Sequence, residues 1–65
     1  MFTTREKEVM ELLILGYSNK EIAEQLIISE HTVKAHKEKI FAKLDAHNNV
    51  QAVVKFIKLF GIGIL

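Results

Sequence analysis

Apolar residues recur along this chain at intervals of three and four, and this spacing predicts four helices. An α-helix with one buried face has that periodicity, whereas a half-buried strand would alternate apolar and polar residues, and no stretch does so. The sequence contains no proline, no repeat and no segment typical of a linker. We therefore predict a single all-α domain over residues 1–65.

The first predicted helix begins at a capping motif. Thr3 and Glu6 have the T-x-x-E spacing of a capping box, and Gly16 is a suitable stop. The buried stripe of this helix is predicted to contain Val9, Leu12 and Leu13.

The second predicted helix follows the break GYSN, where Ser18 or Asn19 can act as its N-cap. It must end near Ile28, because Ser29 is the next candidate N-cap. Its predicted buried residues are Ile22, Ala23 and Leu26.

The third predicted helix is SEHTVKAHKEKIFAKL, residues 29–44, and a helical wheel divides it into two faces. The core face contains Val33, Ile40 and Leu44. The opposite face is small and polar at its centre and cationic at its edges. Its central residues are His31, Ala35, Glu38 and Ala42, and its edges are Lys34 and Lys39.

The fourth predicted helix starts at a cap provided by Asn48 or Asn49, runs to Phe60 and ends at Gly61. It has two apolar faces, and we expect only one of them to be needed for the core. The first face contains Val50, Val53, Val54 and Ile57, and the second contains Ala52, Phe56, Leu59 and Phe60. We expect the second face to form an isologous homodimer; the alternative is that it packs under the first helix or against residues 62–65.

Two short helices joined by a tight turn, the second of them basic, predict a helix-turn-helix. Ala23 is small where the two helices must approach closely, and Val33 lies on the inner face of the second one. The turn has Ile27 in place of the common glycine.

Composition excludes several classes of protein. A chain of 65 residues has room for one thin core and little room for an enzyme's cleft. It has no cysteine, which excludes disulfides and thiol chemistry and fits a cytoplasmic protein. The most apolar segment, FIKLFGIGIL, is too short and too interrupted to cross a membrane, and the charged N-terminus is unlike a signal peptide.

The net charge of +1 conceals an uneven distribution of charges. Residues 1–28 hold three cations and five glutamates, whereas residues 29–44 hold four lysines and two glutamates. A basic helix with a narrow centre fits the major groove of DNA, because its centre can approach the bases while its lysines meet phosphates. A solvated surface helix is the alternative, but it would more often carry long charged side chains at Ala35 and Ala42.

Metal binding and catalysis find little support in the sequence. His31 and His36 are five residues apart, so on a helix they point about 140° away from each other and cannot share an ion. His47 has no second ligand near it, and we expect neither a metal nor a cofactor. Glu6, Glu8 and Glu11 should lie on a solvated helix face, so we do not expect an enzyme.

Four motifs at fixed distances carry a family resemblance. They are T-x-R-E-x-E-V at residues 3–9, G-x-S-N-K-E-I-A at residues 16–23, I-S-x-x-T-V-K-x-H at residues 28–36 and K-L at residues 43–44. Together they resemble the DNA-binding domain of the LuxR/GerE family of bacterial transcription regulators, over nearly the whole chain. The resemblance implies a four-helix domain whose third helix reads the major groove of double-stranded DNA and whose fourth helix commonly forms a twofold dimer.

The resemblance also implies which residues contact DNA. Lys34, Ala35 and Glu38 lie where family members contact bases, and we expect His31 to face the bases as well. Phosphate contacts are implied for Lys20, Ser29, Thr32 and His36, and we expect them also for Lys37, Lys39 and Lys43.

Two residues depart from the family pattern. Asn49 stands where members commonly carry an arginine, a cation expected to pair with Glu6 or Glu8 or to contact the DNA backbone. Glu38 would repel phosphates unless it accepts a hydrogen bond from a cytosine amino group. These departures leave an alternative function, a small dimerising module that modulates another regulator. A receiver or sensor domain would precede this one if the chain is part of a longer protein.

Overall fold

The computed structural model describes residues 1–61 and contains four α-helices in the predicted order. They are α1 (Thr4–Ile14), α2 (Asn19–Leu26), α3 (Glu30–Leu44) and α4 (Asn49–Phe60). These residues form no strand, so the predicted all-α fold is confirmed. Within the same residues, none of the helices combines the length and the apolar character that crossing a membrane requires.

Each helix begins at a side chain that caps it. The capping oxygen accepts a hydrogen bond from the backbone N–H three residues further on, which satisfies one of the donors left unpaired at a helix start. The capping residues are Thr3, Ser18, Ser29 and Asn48. The predicted capping box of Thr3 and Glu6 is confirmed, and Ser18 forms a second, unpredicted one with Glu21.

The core lies between α3 and the other three helices, all of which pack against it. Most of the predicted core residues are buried: Val9, Leu13, Ile22, Ala23, Val33, Ile40 and Leu44. Leu12 and Leu26 are only half-buried at its edge, whereas Met10 is fully buried and was not predicted.

The predicted division of α4 into a core face and a dimer face is wrong. Ala52 and Phe56 are 0% and 3% exposed, so a second copy of the chain could reach them only if the core opened. Phe56 packs edge-on against Phe2, with ring centroids 5.7 Å apart. The alternative, in which this face packs under the first helix, therefore describes Ala52 and Phe56, since α4 lies against α1 and α3. Residues 62–65, the other proposed cover, lie outside the described residues.

The exposed apolar residues of α4 lie at two other places. Val50 and Val54 are 73% and 45% exposed on the side of the helix opposite Phe56. Leu59 and Phe60 are also exposed, but they border the buried face. Phe60 is close to Phe56, with ring centroids 4.5 Å apart. The apolar surface of α4 that another molecule can reach without opening the core thus lies at these two places.

Glu6 is buried, which contradicts the expectation that it lies on a solvated face. It is 3% exposed, and its Oε1 accepts hydrogen bonds from the Thr3 backbone N–H at 2.9 Å and from Lys43 Nζ at 2.8 Å. Lys43 Nζ also donates to the Met1 carbonyl at 2.7 Å. The hydrogen bonds from Lys43 and Thr3 lower the pKa of Glu6 although burial opposes that shift. The pair joins the start of α1 to the last turn of α3.

The turn between α2 and α3 contains a backbone conformation that a β-branched residue rarely adopts. Ile27 has φ 56° and ψ 52°, in the left-handed region, and its side chain is 90% exposed. This conformation ends α2, because the N–H groups of Ile27 and Ile28 both reach the carbonyl of Ala23. The position therefore has the geometry for which glycine is the usual residue.

Replacing Ile27 with glycine should stabilise the domain. Relief of the left-handed strain outweighs the extra entropy of glycine in the unfolded chain, for a net gain of about 0.5–1 kcal/mol. Urea denaturation followed by circular dichroism measures this change. The matched variant is Ile27→Ala, which removes the exposed side chain but keeps a Cβ and should gain less. Equal gains for the two variants would show that the backbone conformation is not the cause.

Replacing Lys43 with methionine should destabilise the domain by about 1–2 kcal/mol, because a partly solvated cation then no longer compensates the buried Glu6 carboxylate. Urea denaturation at neutral pH measures the loss. Lys39→Met is the matched control on the same helix, since Lys39 is exposed, and it should have little effect.

The same pair should make stability depend on pH. Since folding lowers the pKa of Glu6, the unfolded chain binds more protons, and stability rises with pH in the acidic range. The contribution is complete above the ordinary value of 4.5 and is lost as the pH falls through the lower, folded pKa. Lys43→Met should lose less stability over this range than the unsubstituted protein. Parallel losses would mean that Lys43 does not stabilise the Glu6 carboxylate.

Candidate nucleic-acid interface

The helix-turn-helix consists of α2, the turn at residues 27–29 and α3. Ala23 is 6% exposed at the predicted close approach of the two helices, and Val33 is fully buried on the facing side of α3. Since α3 packs its apolar edge against the other helices, its opposite face is presented to solvent.

The predicted outer face of α3 is exposed along its whole length. The central residues His31, Ala35, Glu38 and Ala42 are all accessible, as are Lys34 and Lys39 at the edges. Two alanines separated by nearly two turns leave the helix backbone close to the surface on either side of Glu38. This face can enter a groove without displacing any side chain of the core.

The predicted phosphate contacts near the turn lie close to one another. Lys20 and Ser29 are exposed and line the same shallow groove, together with Glu24 and Glu30. The Ser29 hydroxyl already caps α3, accepting from the Thr32 N–H at 3.0 Å and lying 2.9 Å from the Thr32 hydroxyl. Thr32 itself is half-buried.

Lys37 is held in place by contacts within the protein. Its Nζ donates to Asn19 Oδ1 at 2.9 Å and lies 5.7 Å from the centroid of the Phe41 ring. Burial lowers the pKa of Lys37, and the nearby Lys34 lowers it further. Lys37 therefore presents its cation beside the N-terminus of α2, where the helix dipole also favours an anion. Asn19 was considered in the sequence only as a cap, and its bond to Lys37 depends on how α2 and α3 pack.

Lys43 and His36 are each constrained by the rest of the domain. Lys43 Nζ is engaged by the Glu6 carboxylate and the Met1 carbonyl, so its charge is compensated inside the protein. Lys43 therefore has a structural role, and the predicted phosphate contact would be made alongside it. His36 is half-buried beside the core face of α3, and only part of its ring is accessible.

Glu38 has an unpaired carboxylate within the described part of the chain. Among residues 1–61, the side-chain ion pairs join Arg5 to Glu8 and Lys43 to Glu6, and no hydrogen bond engages Glu38. Lys34 lies one turn earlier on the same helix but does not pair with it. Glu38 nevertheless shares a small groove with Lys34, Lys37 and Asn19, so cations surround it.

The described residues contain no cluster of potential metal ligands. No group of three or more His, Asp or Glu side chains comes together within residues 1–61. The outer face of α3 offers hydrogen-bonding groups and charges.

Comparison with known proteins places these features in a family. Residues 1–56 match the sequence profile of the family described as "Bacterial regulatory proteins, luxR family". The "Transcriptional regulatory protein DegU" of Brevibacillus brevis is 48% identical over 58 residues, which are 89% of this chain and 25% of that protein. The "CsgBAC operon transcriptional regulatory protein" of Escherichia coli (strain K12) is 49% identical over 53 residues, 82% of this chain and 24% of that protein.

A third relative is named as a response regulator homologue. The "Nitrate/nitrite response regulator protein homolog" of Haemophilus influenzae is 46% identical over 56 residues, 86% of this chain and 27% of that protein. The chain thus spans about a quarter of the length of the curated relatives it matches. The described helices and the matched region coincide almost completely, so the similarity concerns the helix-turn-helix unit.

Proposed function

The chain belongs to the luxR family of bacterial regulatory proteins, a family of DNA-binding transcription regulators and not of enzymes, and we propose that α3 enters the major groove of double-stranded DNA. The observation that carries this proposal is the outer face of α3, which is exposed, narrow at its two alanines and bordered by lysines. A helix of this width fits the major groove, where each base pair presents a distinct pattern of donors and acceptors.

The proposed contacts follow from the positions on and around α3. The side chains proposed to approach base edges are three at the centre of the outer face and one at its edge: His31, Ala35 and Glu38, and Lys34. Those at the borders and at the start of the two helices meet phosphates: Lys20, Ser29, Thr32, His36, Lys37 and Lys39. Phosphate contacts on both sides of the groove fix the register in which α3 meets the bases.

Residues 1–65 would then act as the DNA-binding unit of a longer regulator. The relatives are about four times longer than the region they share with this chain, and one of them is named as a response regulator. We place a receiver or sensor domain in the remainder of the protein, and the regulator in the bacterial cytoplasm on the nucleoid.

A homodimer formed through α4 completes the proposal. Val50 and Val54 are the exposed apolar residues of α4 farthest from the buried Phe56, and with Val53 they border a groove that continues to Leu13 and Tyr17. This surface carries no charged side chain, and burying it between two copies would remove apolar area from water. Two copies related by a twofold axis would read half-sites about one turn of DNA apart.

Substituting Lys34 with alanine should weaken binding to a preferred duplex by about tenfold, because a base contact is lost. Fluorescence anisotropy with labelled duplexes over a series of salt concentrations measures the affinity. The unsubstituted protein should lose affinity steeply as salt rises, since phosphate contacts release counterions. Lys58→Ala is the matched control, because Lys58 is an exposed lysine on α4 and its loss changes the net charge equally.

Two results of this experiment would contradict the proposal. One is an absence of duplex binding even at low salt, and the other is an equal effect of Lys34→Ala and Lys58→Ala. Either result would favour the alternative, a dimerising module that acts on another regulator.

Substituting Val54 with glutamate should prevent dimerisation, because two carboxylates would meet across the twofold axis. Sedimentation equilibrium at high protein concentration, and the cooperativity of binding to paired half-sites, measure the effect. Leu59→Glu is the matched variant on the other side of α4, where Leu59 is 53% exposed, and it should leave both quantities unchanged. Loss of the dimer in Leu59→Glu alone would assign the interface to the exposed surface around Leu59 and Phe60 instead.

A further inference from the structure

We propose that Glu38 selects cytosine, by accepting a hydrogen bond from the exocyclic N4 amino group of that base in the major groove. This inference rests on the proposed function, since it assumes that α3 lies in the groove. It names which base the acidic residue on that face recognises.

The position of Glu38 favours contact with a base edge. The residue is exposed at the middle of the outer face, and Ala35 and Ala42 lie before and after it on that face. Neither alanine extends beyond its Cβ, so the longer glutamate side chain projects past both of them. It would therefore reach farther toward the floor of the groove than either alanine.

The carboxylate is available for such a contact. Lys34 lies four residues before Glu38, but the two side chains form no ion pair in the described chain, and Lys-to-Glu is the weaker order for this spacing on a helix. An ionised carboxylate has acceptors and no donor, so it needs a donor on the DNA. Phosphate oxygens are also acceptors and are negatively charged, which leaves the base edges.

Two amino groups act as donors in the major groove, and their surroundings differ. The N6 amino group of adenine lies between two acceptors, its own N7 and the O4 of the paired thymine, both of which repel a carboxylate. The N4 amino group of cytosine has an acceptor on one side only, the O6 of the paired guanine. The acceptor-only side chain is therefore better matched to a cytosine than to an adenine.

The cations near Glu38 strengthen the preference for cytosine over adenine. Lys34 and Lys37 line the same small groove, and Lys34 has no partner among residues 1–61. One helical turn separates Lys34 from Glu38, which allows the lysine to reach guanine O6 or N7 in the same or the neighbouring base pair. The lysines also offset the repulsion between Glu38 and the phosphates. The acidic residue can then enter the groove because the face as a whole remains positive.

Selection from a library of randomised duplexes tests the inference with the unsubstituted protein, Glu38→Gln and Glu38→Ala. The unsubstituted protein should enrich cytosine at one position of each half-site. Glu38→Gln should shift that position toward adenine, because an amide can bond N6 and N7 together. Glu38→Ala should lose the preference there while keeping the rest of the selected sequence.

A modified base makes the test more specific. Replacing the selected cytosine by 2-pyrimidinone, which lacks the 4-amino group, should weaken binding of the unsubstituted protein by about 5- to 30-fold. The same replacement should leave the affinity of Glu38→Ala nearly unchanged, since that variant has no acceptor to lose. Glu38 is exposed, and circular dichroism should show that both variants are folded.

The outcomes separate this inference from the proposed function. If both variants select the same sequence as the unsubstituted protein and bind every duplex more tightly, Glu38 only tolerates the groove and the inference is overturned while DNA binding stands. If the unsubstituted protein selects no sequence and binds no duplex at low salt, the proposed function fails and the inference fails with it.

Discussion

The packing of α3 determines where every other feature of this domain can lie. Val33 and Ile40 are fully buried, seven residues apart on one edge of the helix, and the other three helices pack around that edge. Because a helix repeats every 3.6 residues, burying this edge necessarily exposes the opposite one. The face with His31, Ala35 and Glu38 is thus a geometric consequence of the core. The short α2 and its turn hold the first half of α3, and the Glu6–Lys43 pair holds the last turn.

Glu6 and Glu8 each have a cation although Asn49 offers none. The family resemblance implies an arginine at that position, which was expected to pair with Glu6 or Glu8. The cation of Glu6 is Lys43, which reaches it from a different helix at 2.8 Å. Glu8 is paired with Arg5 at 3.3 Å, one turn away on α1. A buried carboxylate without a cation is costly, so Lys43 has a structural role at Glu6, and less of its charge is available to DNA.

Features determined by neighbours in sequence were predictable, and those determined by distant neighbours were not. The caps at Thr3, Ser29 and Asn48 and the faces of α3 depend on spacing within one helix, and the sequence predicted them. The two faces of α4 are both apolar, so periodicity could not predict which one is buried. Phe2, near the other end of the described chain, packs against Phe56 and so determines which face of α4 is buried. Likewise, Lys43 is 37 residues from Glu6 and Lys37 is 18 residues from Asn19, and no local sequence pattern predicts either contact.

Under the proposed function, the positions of Lys43 and Glu38 affect the non-specific affinity for DNA and the sequence specificity differently. Glu6 compensates the charge of Lys43, and the Glu38 carboxylate lies at the centre of the outer face of α3. Less positive charge is therefore available to phosphates than the four lysines of α3 suggest. Phosphate contacts supply most of the affinity that does not depend on sequence, so a face that gives up positive charge binds all DNA less tightly. A carboxylate that gains a hydrogen bond only at the correct base lowers non-specific binding more than specific binding. A second copy would then restore affinity, because two weak half-site contacts joined through α4 act together on one duplex.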